Sequence, residues 1–209
     1  MSWHRWTALA GVSFVALYVA AFALGIEVGA SDQEILDYYA DSGHRARELT
    51  AFFVISAAVL AFALFASALR STIAAAEGPP VTLAAIAWIG ATAYIALTLA
   101  GNAVSRATAF AASDTDLFDL DANSRRLLEA AGVLLLASGA IAAILFVVAV
   151  SVAAVRYGIL PRWLGWAGFV VAVFLPLAVM FIGFLVLFLW VLAVGITLVA
   201  RPTPLREAR

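Results

Sequence analysis

The chain has 209 residues, 66% of them hydrophobic, and a mean hydropathy of +1.07. Soluble domains are only about half apolar, so this composition excludes an ordinary water-soluble fold and predicts a protein that crosses the bilayer several times. A net charge of −1 provides no basic surface for nucleic acid, and the absence of cysteine excludes disulfides, thiolate metal sites and cysteine nucleophiles.

The first apolar run, residues 7–26, contains no charged residue. A signal peptide has an apolar core of only about 7–15 residues. The longer run predicts a retained transmembrane helix over about residues 7–29 rather than a cleaved leader.

The polar segment that follows has the features of a short helix. Ser31 and Glu34 have the spacing of a capping box, in which each side chain bonds to the backbone of the other residue. Ile35 and Tyr39 share one helix face, and Gly43 is a suitable C-terminal stop. The segment therefore predicts an amphipathic helix on the extracytoplasmic membrane surface, with a solvated loop as the alternative.

Residues 163–200 contain no charged side chain. This stretch is too long for one bilayer-spanning helix of about 20 residues, and Pro176 and Gly183 lie where a hairpin could turn. We therefore expect an all-α membrane bundle in a single domain over residues 1–209, with six spans and with five as the alternative. The six spans are expected at about 7–29, 47–70, 81–105, 126–155, 162–179 and 183–200.

Charge bias predicts the orientation of these spans. With both termini in the cytoplasm, the inner segments hold seven of the 12 arginines and two of the 13 acidic residues. An excess of basic residues is typical of cytoplasmic loops, so we expect cytoplasmic N- and C-termini. Every basic residue is Arg, as GC-rich bacterial coding favours, and we assign this bias no physical role.

Polar residues at the outer ends of the spans form the candidate binding site. Ionisable groups at membrane depth are costly and usually face a partner or a cavity. In a pocket of this kind, we expect Arg106 to approach Glu27 or Glu129 inside the bundle. Alternatively, each side chain reaches separately from its helix end to headgroups and water. The candidate ligand-binding residues are Glu27, Arg47, Glu48, Asn102, Arg106 and Glu129.

The acidic loop at residues 114–121 offers carboxylates that could bind a hard cation. It lacks the glycine and the closing Glu of an EF-hand loop, and a solvated loop with helix caps explains it equally well. His4 and His44 lie near membrane boundaries and do not form a facing pair within helices, as a b-type haem would need. We therefore expect no metal and no cofactor.

Three short segments follow one another along the chain: Ser31-Asp32-Gln33-Glu34-Ile35 with Tyr38-Tyr39, Leu69-Arg70-Ser71 with Glu77-Gly78, and Leu160-Pro161-Arg162-Trp163-Leu164-Gly165-Trp166. In these segments the chain resembles six-span membrane proteins, common in actinobacteria, of the domain of unknown function 4386 family. The resemblance covers most of the chain and implies six spans in the plasma membrane. It implies no established activity and no catalytic residue.

The leading hypothesis is a non-enzymatic membrane protein that binds a lipid, an amphipathic small molecule or another membrane subunit at its outer face. A small transporter or channel is the alternative. An intramembrane enzyme ranks third, because no nucleophile–base or metal set is visible. Small residues four positions apart, as at Gly25 and Gly29 or Gly139 and Ala143, predict close helix packing within the chain. Self-association through such faces is the alternative.

Overall fold

The computed structural model describes residues 3–24, 31–113 and 121–200, with side chains from Leu9 onward. Glu27, the Gly25–Gly29 pair and most of the acidic loop lie outside the described residues. Within them there are seven α-helices, one 3₁₀ helix and no strand. The helices are α1 Trp3–Ala23, α2 Asp32–Ala40, α3 Ser42–Glu77, α4 Thr82–Ala111, α5 Ala122–Tyr157, α6 Arg162–Phe174 and α7 Ile182–Ala200, with the 3₁₀ helix at Leu175–Met180.

Helix length and apolarity make this a multi-pass membrane protein. Within the described ranges, five segments are long and apolar enough to cross a bilayer: α3, α4, α5, α6 together with the 3₁₀ helix, and α7. Helix α1 has 21 residues, which corresponds to about 30 Å and matches the hydrocarbon core of a bilayer. The predicted all-α membrane bundle is therefore confirmed.

The charge-free stretch folds as two helices joined by a tight turn. Helix α6 ends at Phe174, and the 3₁₀ helix that follows begins at Leu175 and contains Pro176. Proline cannot donate a backbone hydrogen bond, so it weakens the continuation of an α-helix. Phe181 completes the turn with φ of 61°, and its backbone N–H donates to the carbonyl oxygen of Ala178 at 2.9 Å.

The short helix α2 has the capping box expected from the sequence. The Glu34 backbone N–H donates to Ser31 Oγ at 3.3 Å, and the Ser31 backbone N–H donates to Glu34 Oε2 at 3.0 Å. Ile35, Tyr38 and Tyr39 form its buried face, and this face packs toward α3 and α5.

The expectation that Gly43 ends α2 is wrong. Helix α2 ends at Ala40, and Asp41 is the N-cap of α3, accepting a hydrogen bond from the His44 backbone N–H at 2.9 Å. Gly43 consequently lies in the first turn of α3. The reason is that a carboxylate at an N-cap stabilises a new helix start immediately after α2.

Glycines allow α4 and α5 to pack with their backbones in close contact. A Cβ atom added at Gly101 would lie 2.8 Å from the carbonyl oxygen of Gly132 on the facing helix. Gly139 and Ala143 are buried, and Gly139 faces Tyr94, Leu97 and Thr98 of α4. This pair therefore packs within the chain, as small-residue motifs in membrane helices often do.

The six long helices bring the groups of the candidate site to one end of the bundle. The C-terminal ends of α1 and α4, the N-terminal ends of α3 and α5, and the Phe181 turn surround a common cavity there. We call this the α2 end, because α2 packs over it. Below it lies a core of interlocking rings: Phe14, Phe62, Tyr94 and Phe188, with neighbouring centroids 4.8–6.5 Å apart.

Candidate functional site

A buried ion pair joins α3 to α4 at the α2 end. Glu48 is 1% exposed, and its Oε2 atom lies 3.8 Å from Arg106 NH1. The sequence predicts Glu27 or Glu129 as the partner of Arg106. Of these, Glu27 is outside the described residues, and Glu129 is paired with Arg125 instead. Arg106 is therefore paired with a carboxylate that was in the candidate set but was not expected to be its partner.

Tyr39 connects this ion pair to α5. Its hydroxyl donates to Glu48 Oε1 at 3.0 Å and accepts a hydrogen bond from Arg125 Nε at 2.6 Å. Arg125 is itself buried and forms an ion pair with Glu129 one turn further along α5. Burial, and next the nearby Glu48 carboxylate, raise the pKa of Tyr39 well above its usual value, so its hydroxyl remains a neutral donor.

Sequence reasoning missed the roles of Tyr39 and Arg125. Tyr39 was assigned to the apolar face of α2, although a tyrosine that is buried usually finds a partner for its hydroxyl. The spacing of Arg125 and Glu129 is an i, i+4 pair and was a usable signal. No sequence pattern indicated that Tyr39 would reach Arg125, which is 86 residues away in the chain.

Asn102 forms a second polar link between α3 and α4. Its side chain is almost fully buried, and Nδ2 donates to the Phe52 carbonyl oxygen at 3.1 Å. That carbonyl also accepts a hydrogen bond from Ser56 Oγ at 2.8 Å. Asn102 therefore ties its helix to the neighbouring helix without using charge.

The remaining candidates differ in position. Glu129 lies at the cavity rim, with 56% of its side chain exposed. Arg47 is exposed and does not line the cavity. The structure thus brings together the buried Glu48 and Asn102 with the partly buried Arg106, adds Glu129 at the rim, and leaves Arg47 on the outside.

These groups line a cavity of about 590 Å³ at the α2 end. Among the described residues, its lining carries three guanidinium groups and two carboxylates, so the charges of these groups sum to a positive value. Apolar side chains of α1, α3 and α5 form much of the remaining lining. The charged lining residues are Glu48, Arg106, Arg125, Arg126 and Glu129, and the apolar ones include Tyr18, Ile55, Val133 and Leu136.

Two buried charged atoms beside the cavity have incomplete hydrogen bonding. Arg106 NH1 and Glu48 Oε2 make no hydrogen bond within the described part of the chain. Their separation of 3.8 Å is an electrostatic contact and is too long for a hydrogen bond. Buried polar atoms in folded proteins nearly always have a partner, so both atoms have unused capacity for a ligand group or water.

Helix α2 packs against α3 and α5 beside the cavity. Ile35 contributes to the lining, and Asp32 Oδ1 lies 2.6 Å from Arg126 NH2 on α5. Together with the Tyr39–Arg125 bond, this pair fixes α2 over α5 at two points. Helix α2 is therefore part of the cavity wall as well as a connection between spans.

No family model, curated protein or solved structure matches this chain. The resemblance to the six-span family therefore stays a prediction. Among the residues that the structure describes, no group of three His, Asp or Glu side chains is placed to hold a metal ion. The chemistry of the cavity is what indicates a function.

Proposed function

We propose that this multi-pass membrane protein binds an amphipathic anion, either a lipid or a small molecule, in the cavity at the α2 end. The observation that carries the proposal is that one cavity combines three guanidinium groups with a largely apolar lining. Ligand sites in proteins are typically apolar cavities with a few converging polar groups that set the orientation of the ligand.

An anionic group fits the charges of the described cavity lining. Among these residues, Arg106, Arg125 and Arg126 outnumber the Glu48 and Glu129 carboxylates. Arg106 is the best anchor, because its NH1 atom is buried and makes no hydrogen bond in the described part of the chain. Charge-assisted hydrogen bonds to a carboxylate or phosphate oxygen are among the stronger ones available to a guanidinium.

The position of the cavity favours binding over transport. It lies at one end of the bundle, whereas transporter sites typically lie near the bilayer midplane beside a broken helix. The helix break at Pro176 lies in the turn region at this same end, next to Phe181, and does not interrupt the middle of a span as in those transporters.

We also infer that the α2 end faces the outside of a bacterial plasma membrane and that both termini are cytoplasmic. The arginine bias along the sequence supports this orientation. The cavity would then receive its ligand from the outer leaflet or from the extracytoplasmic side.

Native mass spectrometry of the gently extracted protein tests the binding proposal. Wild-type protein should retain an anionic amphiphile such as phosphatidylglycerol in preference to zwitterionic phosphatidylcholine. The substitution Arg106→Gln should remove that preference. Arg47→Gln is the matched control, since Arg47 lies at the start of α3 but outside the cavity. Equal loss from both variants, or retention by Arg106→Gln, would reject the cavity as the binding site.

A further inference from the structure

A second hollow adjoins the cavity on the exposed apolar surface of α1 and α7. It has a volume of about 450 Å³, and every lining residue in the described part of the chain has an apolar side chain. We call it the α1–α7 groove, and its principal lining residues are Val19, Phe22, Met180, Phe181, Phe184 and Leu185.

The groove and the cavity meet at one pair of aromatic rings. Phe22 and Phe181 line both hollows. Their ring centroids are 6.3 Å apart and the rings are nearly perpendicular, at 80°. Both side chains are more than half exposed, so they are not held in place by burial in the core. The pair therefore forms a seam between a charged compartment and an apolar one.

The backbone at Phe181 gives this seam a second, independent signal. Phe181 has φ of 61°, a region that bulky side chains rarely occupy. A glycine would form the same turn without strain. The chain instead places an aromatic ring there, and residues held in strained conformations cluster at ligand sites.

We propose that the bound molecule is an anionic membrane lipid whose acyl chain crosses over the Phe22–Phe181 pair and lies in the α1–α7 groove. This inference rests on the proposed function and adds the source of the ligand: it enters sideways from the bilayer rather than from water. The polar headgroup occupies the cavity beside Arg106. The acyl chain leaves the cavity at the seam.

The two compartments have different energetic roles. An acyl chain in the groove exchanges one apolar environment for another, so it gains little hydrophobic free energy relative to the bilayer. The headgroup therefore accounts for the preference between lipids, through its contacts with the arginines. The groove determines where the chain must lie while the headgroup is bound.

Introduced cysteines test the position of the acyl chain, because the protein sequence contains no other cysteine. The variant Leu185→Cys would carry a fluorophore in the groove, and Leu134→Cys would carry it on an exposed position of α5 outside both hollows. Each is reconstituted in phosphatidylcholine vesicles that contain a minor amount of a chain-quencher lipid, either phosphatidylglycerol or phosphatidylcholine. The ratio of quenching by the two lipids at each position cancels differences in depth.

We expect the ratio to be about fivefold higher at Leu185→Cys than at Leu134→Cys, which is the factor that one basic contact with an anionic lipid contributes. Adding Arg106→Gln should reduce the ratio to the control value. Because that change leaves Glu48 without its partner, Arg106→Gln with Glu48→Gln serves as a second variant that preserves charge balance. It should give the same reduction.

The possible failures are distinguishable. Lipid retention that depends on Arg106, without extra quenching at Leu185→Cys, would overturn the chain position and leave the proposed function standing. Loss of Arg106 dependence in the mass spectra would overturn the proposed function itself. Mutual quenching between labelled copies at Leu185→Cys would place a second protein chain in the groove and reject the lipid.

Discussion

Glu48 is the residue on which the contacts at the α2 end converge. Its carboxylate faces Arg106 of α4 and accepts a hydrogen bond from Tyr39 of α2, while its own backbone belongs to α3. A carboxylate this deeply buried is tolerable only when charge and hydrogen bonds compensate its desolvation. Loss of either partner would therefore leave the buried carboxylate of Glu48 poorly compensated and destabilise the fold.

Removal of Arg106 should therefore be costly. Arg106→Ala leaves the Glu48 carboxylate buried without its cationic partner, and we expect a loss of about 3–5 kcal/mol in unfolding free energy. The double change Arg106→Ala with Glu48→Gln should recover much of the loss. Thermal unfolding in detergent measures both. Arg47→Ala, at an exposed position, should change the melting temperature little. An unchanged melting temperature for Arg106→Ala would show that the pair is not buried.

The adjacent tyrosines of α2 provide a matched comparison. Tyr39→Phe removes a hydroxyl that serves both Glu48 and Arg125, and it should cost about 1.5–3 kcal/mol. Tyr38→Phe removes a buried hydroxyl that has no hydrogen-bond partner in the described residues, so it should be nearly neutral. Both variants keep the ring, and the same unfolding assay compares them. Equal effects would contradict the Tyr39 bridge.

At the scale of elements, α2 and α3 show which local signals are readable from sequence. The capping box of α2 was predictable because it is specified by two residues three positions apart. The boundary between α2 and α3 was not predictable, because Gly43 signals a helix end whereas Asp41, two residues earlier, signals a helix start. In the structure Asp41 caps the start of α3, because its carboxylate accepts a hydrogen bond from the backbone N–H of His44.

Acid should weaken the start of α3 through Asp41. The backbone N–H groups of His44 and then Gly43 lower the pKa of Asp41 below its usual 3.8. A lowered pKa means that the cap stabilises the fold above the unfolded-state value and loses this contribution as the pH falls through the folded-state value. Asp41→Asn keeps a capping side chain without a titration. Melting temperatures measured from neutral to acid pH should therefore fall less steeply for this variant, and parallel curves would reject the assignment.

The tryptophan-rich start of α6 is explained by its packing. Leu160, Leu164 and Gly165 face inward, and a Cβ atom added at Gly165 would lie 2.9 Å from Val155 of α5. Trp163 and Trp166 point outward, with 61% and 62% exposure. Small and aliphatic residues thus allow α6 to approach α5. The two indoles lie exposed on the side of the bundle, as is typical of tryptophans at membrane interfaces.

At the scale of the whole molecule, the sequence predicts a residue's position along the membrane normal better than the side of the helix on which it lies. Apolar run length and the charges at each end locate a residue along the membrane normal, so the common level of Glu48, Asn102 and Arg106 was predictable. Their rotation about each helix was not, because long apolar helices carry little amphipathic pattern to orient them. For that reason the choice of Glu48 as the partner of Arg106 required the structure, as did the position of Arg125.

Orientation in the membrane is the remaining whole-molecule prediction. If the arginine bias sets it, the α2 end lies outside and the opposite end lies in the cytoplasm. In the otherwise cysteine-free chain, Gln33→Cys on α2 should react with an impermeant maleimide in intact cells. Ala76→Cys, near the far end of α3, should react only after permeabilisation. A reporter fused after Arg209 should likewise work only if it is active in the cytoplasm. The reverse labelling pattern would invert the bundle, and the cavity would then take its lipid from the inner leaflet.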